Sequence, residues 1–152
     1  MYQYGEGVTQ DYAEAAKWYR LAGEQGDAPA QCLLGDMYCF GRGVRRDYTE
    51  AVKWYRLAAE QGGADAQLNL GLMYSLGDGV RQSYAEAVKW YRLAAQQKNA
   101  GVQYLLGFCY ENGHGVKQNK AIAKEWYGKA CDNGNQEGCD AYRNLNKPKK
   151  LR

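Results

Sequence analysis

Residues 30–62 read AQCLLGDMYCFGRGVRRDYTEAVKWYRLAAEQG, and this stretch decides the fold. Ala30, Leu34, Met37 and Tyr38 stand at i, i+4, i+7 and i+8, the spacing of one apolar face of a helix, here termed helix A. Gly41-Arg42-Gly43-Val44 stops it, since two glycines supply the positive φ that a helix end and a tight loop require. Asp47-Tyr48-Thr49-Glu50 then reads as a capping box that opens a second helix, helix B. Its broad apolar face carries Tyr48, Ala51, Val52, Tyr55, Ala58 and Ala59, and Gly62 closes it. Arg56 stands four residues before Glu60, the spacing of an intrahelical ion pair.

Working outward, the same text recurs. Trp18, Trp54, Trp90 and Trp126 are 36 residues apart, and so are Tyr19, Tyr55, Tyr91 and Tyr127. Val8, Val44, Val80 and Val116 keep the interval, as do the loop pairs Gly5/Gly7, Gly41/Gly43, Gly77/Gly79 and Gly113/Gly115. The capping signature returns as Asp11 to Glu14 and as Ser83 to Glu86. A fixed period of this length predicts an all-α, α/α solenoid of stacked antiparallel helix pairs, a right-handed superhelix with the A helices on its concave side. Gly35, Gly71 and Gly107 recur inside helix A, where each costs roughly 1 kcal/mol relative to alanine. The recurring Trp or Tyr of helix B is expected to occupy the space they leave.

Bulk composition agrees with a folded chain. Of the 152 residues, 45% are hydrophobic and 24% charged, and no apolar run reaches the roughly 18 residues of a membrane helix. The net charge of +3 comes from the end of the chain: Lys147, Lys149, Lys150 and Arg152 hold four of the 20 basic residues, leaving 16 against 17 acidic ones. A balanced body argues against a nucleic-acid partner, which selects a basic stripe on the folded part.

The chain resembles the Sel-1-like repeat family, relatives of the tetratricopeptide repeats, through Ala30, Leu34, Gly35, Met37, Tyr38, Gly41, Gly43, Asp47, Ala51, Trp54, Tyr55, Ala58 and Gly62 and their 36-residue equivalents. The resemblance spans residues 1–146: a partial unit 1–29, units 30–65, 66–101 and 102–137, and a terminal capping helix 137–146, followed by a basic flexible tail 147–152. It implies a non-enzymatic scaffold or adaptor for proteins or peptides, without a cofactor. Met1-Tyr2 aligns with Met37-Tyr38, so the first helix B is expected to be partly uncovered, an open end through which copies of the chain associate.

The segment Lys129-Ala130-Cys131 through Gly138-Cys139 resembles the cysteine-rich, secreted bacterial branch of the same family, which implies a Cys131–Cys139 disulfide and a periplasmic or secreted location, with the cytoplasm as the alternative. Cys32 and Cys39 are i, i+7 on one helix, roughly 10 Å apart, and do not bridge. Cys109 takes the place of Met37 and Met73 and is expected as a buried free thiol.

Catalytic signatures are weak. The Gly-x-Gly-Val loops follow no strand and lead to no Lys-Ser or Lys-Thr, so they read as turns rather than phosphate cradles. The single histidine, His114, occupies a loop place held elsewhere by Arg42 and Asp78 and reads as a solvent residue. The cysteines and histidine do not cluster at metal-ligand spacing. A cell-wall or β-lactam-interacting enzyme, the activity linked to some cysteine-rich relatives, is the competing reading, yet the chain has no Ser-x-x-Lys.

Binding information is expected where the units differ on a constant scaffold. Along helix A the variable places are 32, 36, 39 and 40 and their equivalents, a stripe nearly opposite the core face. It carries Asp36, Phe40, Leu68, Leu72, Leu76, Tyr104, Phe108 and Glu111, an apolar patch flanked by acids that suits an extended peptide or a partner helix. The opposing expectation is that neighbouring A helices bury part of this stripe against each other.

Overall fold

The computed structural model describes residues 6–148, with side chains from residue 11 onward. Eight helices follow one another among them: α1 (Glu6–Glu24), α2 (Ala28–Phe40), α3 (Tyr48–Glu60), α4 (Ala64–Leu76), α5 (Tyr84–Ala95), α6 (Ala100–Asn112), α7 (Lys120–Asp132) and α8 (Gln136–Asn146). The chain forms two compact units, Met1–Gln82 and Ser83–Arg152. In the first, α1 packs on α2, α2 on α3 and α3 on α4; in the second, α5 packs on α6, α6 on α7 and α7 on α8. Even-numbered helices are A helices and odd-numbered ones B helices, and no strand occurs among the described residues.

Local chemistry sets the boundaries. Asp47 accepts the Glu50 N–H at the start of α3, Ser83 accepts that of Glu86 at α5, and Asn119 accepts that of Ile122 at α7. Gly41, Gly77 and Gly113 end the A helices in the left-handed region. The second loop glycine has a stricter task. A Cβ on Gly43, at φ 72°, would fall 2.2 Å from the Tyr12 carbonyl oxygen, so backbone meets backbone there.

The first repeat departs from this pattern. A loop is expected over Gly5-Glu6-Gly7-Val8 and a cap at Asp11, but α1 runs unbroken from Glu6 to Glu24. The alignment of Met1-Tyr2 with Met37-Tyr38, the off-lattice Tyr4, and Lys149, Lys150 and Arg152 of the tail lie outside the described residues.

Within the first unit, Ala16, Leu34, Met37 and Trp54 form one buried cluster, with Ala15, Tyr19, Tyr38 and Val44 against it. Trp54 and Trp90 are 4% and 7% exposed, as packing residues should be, whereas Trp18 on α1 is 68% exposed. The mid-helix glycines make room for tyrosine rather than tryptophan: the Tyr55 ring crosses Gly35 and the Tyr127 ring crosses Gly107.

Two polar lattices tie the hairpins together. Arg20, Arg56 and Arg92 each donate to the hydroxyl of the tyrosine 18 residues on, Tyr38, Tyr74 and Tyr110, with the guanidinium also lying over that ring. Arg56 therefore turns to the next helix instead of pairing with Glu60. In the last repeat both partners are lost together: Gly128 and Asn146 hold these places, and the Tyr142 ring fills the space over Gly128. Buried Gln31, Gln67 and Gln103 each donate to a carbonyl eight residues back, that of Gly23, Ala59 or Ala95. At the corresponding places in the last hairpin stand Cys131 and Cys139, joined by a disulfide with Cα atoms 4.5 Å apart. Cys32, Cys39 and Cys109 are free, and Cys109 is buried.

Candidate partner-binding cleft

The first unit has a cleft of about 400 Å³ between α2 and α4. Asp36, Cys39 and Phe40 of α2 form one wall and Asn69, Leu72, Met73 and Leu76 of α4 the other; Tyr48 and Tyr55 of α3, Arg46 of the α2–α3 turn and Asp78 after α4 complete it. Phe40 and Leu76 are 63% and 67% exposed, large apolar side chains at the last positions of α2 and α4. The floor is polar and satisfied. Asp36 Oδ1 accepts from the Tyr55 hydroxyl at 2.6 Å and from Asn69 Nδ2 at 3.3 Å.

Burial raises the Asp36 pKa above the ordinary carboxylate range, with the Asp65 charge adding to the rise and the Tyr55 hydrogen bond and Arg42 opposing it. Tyr55 is pushed well above the usual phenol range by burial and by the neighbouring Asp36, so its hydroxyl stays a donor. Cys39 is likewise raised, mainly by burial, which leaves the thiol protonated and a poor nucleophile. A second hollow, about 520 Å³, lies on the other side of Asp36 and Asn69 and is lined by Cys32, Leu33 and Asp65.

The eight residues read from the sequence thus divide. Asp36, Phe40, Leu72 and Leu76 converge in the cleft, while Leu68 is half-buried outside it. Tyr104, Phe108 and Glu111 belong to the second unit. There the Tyr104 ring lies 5.5 Å from that of Tyr127, whose hydroxyl donates to Glu111 at 2.5 Å. Phe108, 41% exposed, meets His114 edge-on at 5.6 Å, and His114 stacks on Tyr84 at 4.8 Å. His114 is therefore not the free solvent residue expected of a loop position: the aromatic surfaces beside it draw the imidazole in. Asn69 and Arg46 are cleft residues that the variable stripe omits. Asn69 carried a signal, a polar residue where other units have Leu33 and Leu105. Among the described residues, no three His, Cys, Asp or Glu side chains converge to hold a metal ion, and no helix is long and apolar enough to cross a membrane.

The Sel1 repeat model matches residues 1–27, 28–63, 64–99 and 100–135. Among solved structures, the chain is 46% identical to c5321, a protective antigen present in uropathogenic Escherichia coli strains displaying an SLR fold, covering 84% of this chain and 27% of that one, with a TM-score of 0.82. It is 37% identical to a Sel1 repeat protein from Oxalobacter formigenes over 88% of this chain and 53% of that one, with a TM-score of 0.81. Helicobacter pylori cysteine rich protein B shares the fold at 22% identity, with a TM-score of 0.69 over 88% of this chain and 96% of that one. This chain thus spans only part of the length of the first two. No curated protein matches.

Proposed function

This chain belongs to the Sel1 repeat family, whose members are typically non-catalytic and mediate protein–protein interaction, and from that premise we propose an adaptor that holds a peptide or partner protein on the exposed faces of its A helices. The observation that carries the reading is the exposure of Phe40 and Leu76 on a cleft whose floor is already satisfied by hydrogen bonds. Such a surface binds without first ordering itself, which lowers the entropic cost of association. The decisive experiment compares wild type with Phe40→Glu and Leu76→Glu as baits in an extract of the source organism. A partner retained by wild type and lost by both variants, with helicity and melting unchanged, supports the adaptor; equal capture by all three removes the cleft from the interaction.

An exported or periplasmic location fits the Cys131–Cys139 disulfide, since such bonds persist in oxidising compartments. Fractionation of cells expressing the chain's natural gene tests this, and recovery with cytoplasmic markers overturns it. The exposed Trp18 favours a second reading, self-association through α1, in which another copy covers the indole. Light scattering of wild type and Trp18→Arg separates the two: a dimer lost on substitution supports self-association, and a wild-type monomer excludes it.

A further inference from the structure

We propose that the cleft of the first unit selects acidic, apolar segments: an apolar side chain enters between Phe40, Leu72 and Leu76 while a neighbouring carboxylate is held by Arg42 and Arg46. This rests on the reading of that cleft as the binding surface and adds the chemistry of what enters it. The turn after α2 places Arg46 in the cleft lining and Arg42 over the Phe40 ring, both exposed. Among the described residues neither has a carboxylate partner within 4.0 Å. Arg46 lines the cleft itself, its Cζ 5.2 Å from the Tyr48 ring centroid, and Arg42 Cζ lies 5.3 Å from that of Phe40. A guanidinium stacked on a ring keeps its N–H edge free, a planar fork matched to a carboxylate.

Two of the acids nearby have their oxygens held in other hydrogen bonds. Asp36 is engaged by Tyr55 and Asn69, and Asp47 caps α3 by accepting the Glu50 N–H. That leaves Asp78, after α4, across the cleft from the guanidinium groups of Arg42 and Arg46. A nucleic acid would meet the same charge, but the Phe40 and Tyr48 rings on which bases would stack already carry Arg42 and Arg46. An extended peptide with alternating apolar and acidic side chains meets both features of the cleft.

Fluorescence anisotropy tests this with labelled peptides that share a Leu-Phe centre and are flanked by glutamate, by glutamine or by lysine, with a short oligouridylate as a further probe. The glutamate peptide should bind about tenfold more tightly than the glutamine peptide, the scale of one charge-assisted contact. That margin should shrink between about 50 mM and about 300 mM salt. Arg42→Gln combined with Arg46→Gln, folded by circular dichroism, should erase the margin and leave the glutamine peptide's affinity in place, whereas Asp78→Asn should widen it. A lysine peptide that binds as well as the glutamate one overturns the acidic selectivity but keeps the cleft as a binding surface. Oligouridylate binding that exceeds every peptide and is lost in the arginine variant overturns it in favour of nucleic acid. Failure of all peptides, with Leu76→Glu indistinguishable from wild type, removes the cleft reading beneath it.

Discussion

The ring of Tyr55 crosses Gly35 so closely that a methyl group on the glycine would stand 2.6 Å from Cδ1 and Cε1. The ring cannot swing aside, because Tyr55 is buried and its hydroxyl is tied to Asp36. Alanine at this place gains roughly 1 kcal/mol of helix propensity. Overpacking costs about 1–3 kcal/mol and wins where the neighbour is fixed. Gly35→Ala should therefore lower stability by about 1 kcal/mol in urea titrations, and Gly107→Ala should do the same through Tyr127. A raised midpoint in either variant would mean that the ring yields and that these glycines are not spacers.

The Arg56–Tyr74 contact joins α3 to α4 at 2.7 Å, and the same pairing stands at Arg92 and Tyr110. Tyr74→Phe keeps the ring under the guanidinium and deletes only the hydroxyl, at an expected cost of about 0.5–1.5 kcal/mol. A double-mutant cycle with Arg56→Gln should show favourable coupling, while Glu60→Gln should stay within about 0.5 kcal/mol of wild type. Coupling to Glu60 instead would restore the local ion pair.

What the sequence makes legible follows from periodicity. Ala30, Leu34 and Met37 mark the buried face of α2 because burial must repeat with the helical turn, and all three are buried. Relationships between helices are harder to read. The partner of Arg56 is 18 residues away rather than four, and only the geometry of packed helices chooses between Tyr74 and Glu60. The joint loss of Arg and Tyr at Gly128 and Asn146 was visible in the lattice, but it acquires meaning only once the two are seen to touch. The stripe behaves likewise: variability picks out Phe40, Leu72 and Leu76, whereas Arg46 enters the cleft from a turn outside any helical pattern.

Asp36 gives the first unit a pH dependence of defined sign. Its pKa in the fold is raised above the unfolded value near 3.8, chiefly by burial. The folded state then holds the proton more tightly than the unfolded state, so this group's contribution is fully present below about pH 3.8 and falls as pH rises through the folded value. Asp36→Asn removes the titration and retains an acceptor oxygen for the Tyr55 hydroxyl. Relative to wild type, the variant should gain stability as pH rises from about 4 and level off once the pH has passed the folded value. Urea midpoints across that range check it. A variant that loses ground with rising pH would show that the hydrogen bonds from Tyr55 and Asn69 outweigh burial.

Cys131 and Cys139 occupy the lattice places of Ala59 with Gln67 and of Ala95 with Gln103, so the disulfide stands where earlier hairpins use a buried amide-to-carbonyl hydrogen bond. Denatured, unreduced protein should accordingly give three reactive thiols, those of Cys32, Cys39 and Cys109. In the folded protein these should alkylate slowly near pH 8, because burial pushes Cys32 up to about 12 and Cys109 up to about 11. Closing so short a loop stabilises by about 2–3 kcal/mol on chain-entropy grounds, and Cys131→Ala with Cys139→Ala should lose about that much, with hydrogen exchange rising in α7 and α8. Cys131→Ala with Cys139→Gln rebuilds the pair found at Ala95 and Gln103. It should recover about 1 kcal/mol relative to the double alanine variant while remaining below wild type, since the hydrogen bond returns and the covalent constraint does not. Equal stability of the glutamine and alanine variants would show that the last hairpin no longer presents its carbonyl as the others do, and that its disulfide closes a differently shaped site.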